Sequence, residues 1–179
     1  MAELAPARIW MKRLLFVVLC LLLIFIALLP LRTLPSGWAG PDLILCLALA
    51  WSLRRPDLAP VTVIAGMMLL ADFLFQRPPG LLPLLLVIGH EYLQRRAVGL
   101  REASFAGEWV AVAIVVVGMT LTNRLVLSIT NVEQARLSLV AIQMVMTLAA
   151  YPIVAAVTEL VFGIRKPEPS DSNAWGGAR

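Results

Sequence analysis

A chain of 179 residues that is 60% hydrophobic and only 15% charged, with a mean hydropathy of +0.88, excludes an ordinary soluble domain, in which roughly a quarter of the residues carry charge. Several apolar runs reach about 20 residues, the length that crosses a bilayer core at 1.5 Å per residue. The formal net charge of +4 therefore belongs to segments flanking a membrane, and the expected fold class is an all-α integral membrane protein, since open sheet edges cannot satisfy their backbone groups in lipid.

The first run, "LLFVVLCLLLIFIALLPL" at 14–31, follows Arg8, Lys12 and Arg13. It exceeds the length of a signal-peptide core and no A-x-A-like site follows it, so it reads as an uncleaved first helix behind a cytoplasmic segment, 1–13. The second span, 41–53, opens on Asp42; like the fourth, it is short and borrows interface residues such as Trp38. The third, 58–75, contains Gly66 and Asp72, and "QRPPG" separates it from the fourth, 80–94, which carries His90 and Glu91. A loop at 95–108 leads to the fifth span, 109–130, with Asn123 and Arg124. The sixth, 137–164, contains Glu159 and Pro152, whose ring lacks the donor that the Leu148 carbonyl expects. The domain reading is thus a six-helix transmembrane unit over 14–164 and a Pro/Ser/Gly-rich, disordered cytoplasmic tail at 165–179.

Arginine sets the orientation. With the N-terminus in the cytoplasm, the inside segments hold eleven basic residues (Arg8, Lys12, Arg13, Arg54, Arg55, Arg95, Arg96, Arg101, Arg165, Lys166 and Arg179). The outside loops hold three, Arg32, Arg77 and Arg136, and Arg124 lies within a span. The excess on one side supports six spans with both termini inside.

Orientation places Asp42, Asp72 and Arg124 together in the outer half of the bilayer. A charge near the bilayer centre costs about 2.5–3.5 kcal/mol or more on insertion scales, and a guanidinium fork can lower that cost by engaging a carboxylate. An Asp72–Arg124 ion pair shared by Asp42 is therefore expected, with Arg77 anchoring the helix end. The alternative is that Asp72 caps the "QRPPG" turn or pairs with Arg77. Towards the cytoplasm lie His90, Glu91 and Glu159, with Arg95 placed for an i,i+4 pair with Glu91. His90 reads as a hydrogen-bonded interior group. Cys20 and Cys46 read as small buried apolar side chains, at no metal or redox spacing. Trp10, Trp38, Trp51 and Trp109 fall near predicted interfaces, where aromatic belts sit. The small residues Gly66, Gly118, Ala149, Ala150, Ala155 and Ala156 read mainly as intramolecular packing contacts.

No catalytic constellation is evident: Ser36, Ser128 and Thr130 have no histidine partner, because His90 lies towards the other face. No catalytic, cofactor or metal site is expected, and no nucleic-acid partner. Two classes stay open on residue chemistry: a membrane scaffold whose helices bind partner helices, or a small-molecule carrier subunit whose outer Asp/Arg set lines a pocket.

Residues 40–96, "GPDLILCLALAWSLRRPDLAPVTVIAGMMLLADFLFQRPPGLLPLLLVIGHEYLQRR", resemble the central portion of the rod shape-determining MreD family. The shared pattern is P-D-x-x-L at Pro41–Asp42, W-x-L-R-R-P from Trp51 to Pro56, G-x-x-x-x-x-D from Gly66 to Asp72, and R-P-x-G at Arg77, Pro78 and Gly80. The resemblance implies a non-enzymatic scaffold of the bacterial inner membrane. Its partners would be MreC, then RodA with its penicillin-binding transpeptidase partner, and MreB indirectly, all guiding lateral peptidoglycan synthesis. It also implies a fold similar to the S component of energy-coupling-factor vitamin transporters, which keeps the carrier reading open.

Overall fold

The computed structural model describes residues 6–29, 39–55, 58–102, 105–132 and 134–163. Trp38, the first five residues and the tail from 164 onwards lie outside them. Among the described residues the chain forms six α-helices: α1 (Pro6–Leu28), α2 (Leu43–Arg54), α3 (Val61–Leu74), α4 (Leu81–Glu102), α5 (Phe105–Ile129) and α6 (Leu137–Phe162).

The shortest helix organises the rest. A helix that is apolar all round must be buried on every side, and α2 is buried from Ile44 through Arg54. It packs against α1, α3, α4 and α6, while around it α1 packs on α3, α3 on α4, α4 on α5 and α5 on α6. Twelve residues span about 18 Å. The two polar ends of α2, Asp42 and Arg54, therefore lie at opposite ends of the bundle core, and each becomes the centre of a polar cluster.

Three helices are long and apolar enough to cross a membrane: Ile9–Leu28, Phe105–Ile129 and Leu137–Phe162. Two more, α2 and α3, are apolar but shorter. Much of the outward surface of the long helices is apolar, including Leu14, Phe25, Leu121, Leu125, Val145 and Leu160. Such a surface suits contact with lipid rather than water.

Several boundaries differ from the sequence reading. The first helix begins at Pro6 rather than 14, so the segment expected to precede the helix is largely part of it. The loop expected at 95–108 is mostly helix, because α4 continues to Glu102 and α5 starts at Phe105. Hydropathy falls after His90, yet Glu91, Leu93, Gln94, Arg95 and Arg96 are all good helix formers. The expected Glu91–Arg95 pair forms on the exposed face of α4 at 3.7 Å.

Packing assigns the small and aromatic residues. Gly66 and Gly118 face outward with nothing within 4 Å of the place a Cβ would occupy, so they are not the intramolecular contacts expected of them. Of the alanines named above, Ala155 is fully buried. The close helix approach is at Gly89, where a Cβ would sit 2.6 Å from Val115 Cγ1 of α5. Trp51 is no belt residue: it is 0% exposed, its ring 5.2 Å from that of Phe16. Trp10 and Trp109 are exposed. Trp109 also resolves the defect left by Pro152, since its indole N–H donates to the Leu148 carbonyl at 3.0 Å. That carbonyl would otherwise have accepted the missing N–H of residue 152. Cys20 and Cys46 are buried and unbridged, as read.

Candidate functional site

Asp42 begins the first cluster as the N-cap of α2. Its Oδ1 accepts the Leu45 N–H at 3.1 Å, which satisfies one of the orphan donors of the first turn. The Asp42 N–H in turn donates to Thr147 Oγ1 of α6 at 2.9 Å, and that hydroxyl donates to the Gln143 carbonyl at 2.7 Å. Its Oδ2 meets Arg77 Nη1 at 3.4 Å. The Arg77 guanidinium also lies over the Phe75 ring, 5.1 Å from its centroid.

The turn that carries Arg77 is held by Asp72. Asp72 is 0% exposed; its Oδ2 accepts the Gly80 N–H at 3.2 Å and its carbonyl accepts the Arg77 N–H at 2.9 Å. Gly80 has φ +95°, a conformation that strains residues bearing a Cβ. The buried carboxylate thus ends α3 and closes the loop into α4. The expected Asp72–Arg124 pair is absent: among the described residues no ion pair joins them. Arg124 Nη1 instead donates to the Ala135 carbonyl at 3.2 Å, and Asp42 shares its charge with Arg77. Common depth had suggested the interhelical pair, but depth does not determine which way a side chain points around its helix. The Gly80 amide, eight residues along the chain, donates to Asp72 Oδ2 instead.

Asp42, Arg77, Pro78 and Arg124 nevertheless line one cavity of about 320 Å³ between α2, the α3–α4 turn, α5 and α6. Gln76, Asn123, Gln143 and Thr147 add polar walls, while Leu45, Val116 and Met144 add apolar ones. Asp72 and Gly80 hold the turn and do not line the cavity; Gly66 lies on the outward face of α3.

The second cluster is at the Arg54 end. The Arg54 side chain is 4% exposed, and its Nε lies 3.2 Å from Glu108 Oε1 of α5. Its Nη1 donates to the Ala155 carbonyl and to Glu159 Oε2 of α6, both at 3.0 Å. The Tyr151 hydroxyl donates to the same Glu108 oxygen at 2.7 Å. One guanidinium therefore ties three helices together through two carboxylates. The set expected around His90 divides. Glu159 goes to Arg54 and Glu91 to Arg95, while His90 is buried with Nε2 3.2 Å from Gln94 Nε2.

Compared with protein-family models, curated proteins and solved structures, the chain matches none.

The Arg54 cluster escaped the sequence reading. Arg54 was counted as a flanking basic residue, and Glu108 stood one position outside the expected fifth span. The available signal was composition: Glu108 is an isolated acid within "FAGEWVAVAIVVV", and Tyr151 is an isolated hydroxyl in an apolar run. An ionisable residue in such a run calls for a partner.

Proposed function

We propose that this chain is a six-span scaffold of the bacterial inner membrane, of MreD type. It binds MreC and helps the elongation machinery (RodA, its penicillin-binding transpeptidase partner and, indirectly, MreB) guide lateral wall synthesis. Both termini lie in the cytoplasm and the Arg54 end of the bundle faces it. In this reading α2, α3 and α4 also cross, sheltered by α1, α5 and α6, and the fold is similar to an energy-coupling-factor S component.

One observation carries the reading. Four of the residues that bear the resemblance, Asp42, Asp72, Arg77 and Gly80, are dispersed along the chain yet form one connected unit. Asp42 caps α2 and pairs with Arg77, and Asp72 caps Gly80 of the same turn. Pattern elements that support one another in this way specify a local structure better than separate helix ends do. The scaffold reading also agrees with the extensive apolar outer surface, which helices can share with other helices through close packing. The second reading, a small-molecule-binding transporter subunit, draws on the cavity at the Asp42 end.

Depletion tests the proposal. In a rod-shaped bacterium that depends on this chain, its loss is expected to widen and round the cells and to abolish side-wall peptidoglycan insertion, both restored by the wild-type protein. Depleted cells that keep their width and insertion pattern would refute it.

A further inference from the structure

The charge on the cavity walls does not balance. Arg77 is met by Asp42 at 3.4 Å and by the Phe75 ring. No carboxylate among the described residues pairs with Arg124, and of the five N–H donors of a guanidinium one goes to the Ala135 carbonyl. The side-chain amides of Asn123 and Gln143 border the same cavity and have no hydrogen-bond partner among the described residues. A volume of about 320 Å³ falls at the lower end of the range for small-molecule sites. The apolar side chains of Leu45, Val116 and Met144 leave room beside the polar groups for a ligand with a short apolar part.

We propose that this cavity binds a singly charged oxyanion, with Arg124 as its charge partner and the Asn123 and Gln143 amides as its hydrogen-bonding walls. A phosphodiester and a carboxylate share the needed chemistry, namely acceptor oxygens with one delocalised negative charge that an arginine fork recognises. The ligand comes either from solution or from the headgroup of an anionic lipid at the bundle surface. The proposal goes beyond the scaffold reading and stands or falls separately from it.

The test uses the full-length protein in phosphatidylcholine nanodiscs at constant ionic strength, with unfolding followed by tryptophan fluorescence. Inorganic phosphate and glycerophosphoglycerol are titrated as soluble probes. In a second arm, phosphatidylglycerol replaces part of the phosphatidylcholine. A saturable rise in unfolding temperature is expected in at least one arm. Arg124→Gln should shift its midpoint by about tenfold or more, the usual weight of a hydrogen bond to a charged group. A response to the soluble probes assigns a soluble ligand, and a response confined to phosphatidylglycerol assigns a headgroup. Should Arg124→Gln fail to fold, Asn123→Leu and Gln143→Leu remove side chains that bond nothing else, and each should also weaken the response. No saturable response of the wild type in either arm overturns the proposal. So does an unchanged midpoint in the folded variants.

Discussion

Replacing Arg54 by methionine is expected to destabilise the protein by about 3–5 kcal/mol, the effect of breaking a buried ion pair from one side. The change removes the guanidinium from Glu108 Oε1, Glu159 Oε2 and the Ala155 carbonyl at once. Glu108 is 0% exposed, so its charge cannot be returned to water without opening the contact between α2 and α5. Glu159 is 43% exposed, and Glu159→Gln should therefore cost less than about 1 kcal/mol. Arg54→Lys should fall between, because a point charge on a flexible stem does not span two carboxylates and a carbonyl as a planar fork does. Adding Glu108→Gln to Arg54→Met removes the stranded charge and leaves an amide oxygen to accept from Tyr151. The double variant should then be less destabilised than the sum of the single ones. Heating followed by size-exclusion of the detergent-solubilised protein reads the series; additive losses would show that Arg54 and Glu108 do not depend on each other.

Asp72→Ala is expected to lower stability by about 1–3 kcal/mol, through the turn rather than through an interhelical charge pair. It deprives the Gly80 N–H of its acceptor in a segment where Gln76 and Gly80 already hold positive φ angles of 54° and 95°. Asp72→Asn should be milder, since the amide oxygen can still accept that N–H. Gly80→Ala should cost roughly 1–2 kcal/mol by forcing a Cβ into a left-handed conformation. Combining Asp72→Ala with Arg124→Ala should give additive effects, because the two side chains share no contact. A coupling above about 0.5 kcal/mol, read in the same unfolding assay, would restore the interhelical pair that depth alone had suggested.

The contrast between these two residues shows what the linear sequence can specify. Proline, glycine and arginine punctuate the chain strongly enough to separate six helices, and the starts of α2, α3, α4 and α6 lie close to the expected ones. Helix ends were less legible where hydropathy and helix propensity part company, as after His90, where the chain turns polar but stays helical to Glu102. At the Asp42 end, Asp42 and Arg124 of the expected group line one cavity, joined there by Arg77, which was read as the anchor of the helix end. Asp72 belongs to the adjacent turn, because its rotation about the α3 axis is set by three-dimensional packing. At the Arg54 end the difficulty was different. A basic residue at the end of an apolar run reads equally well as a snorkelling anchor or as the buried centre of an ion network. Only the meeting of α2 with α5 and α6 decides between them. Gly66 and Gly89 repeat the point, since the glycine that sits in a family-like pattern faces outward and the one that packs against α5 stands in an unremarked run.

Affinity purification of the tagged chain in mild detergent, with identification of the proteins that accompany it, tests the scaffold reading most directly. MreC should be recovered together with components of the elongation synthase, and their yield should survive Arg124→Gln, which alters the cavity and not the outer helix surfaces. Recovery of an ATPase module and its coupling protein with a bound vitamin, and no MreC, would contradict the reading and make the chain a transporter subunit.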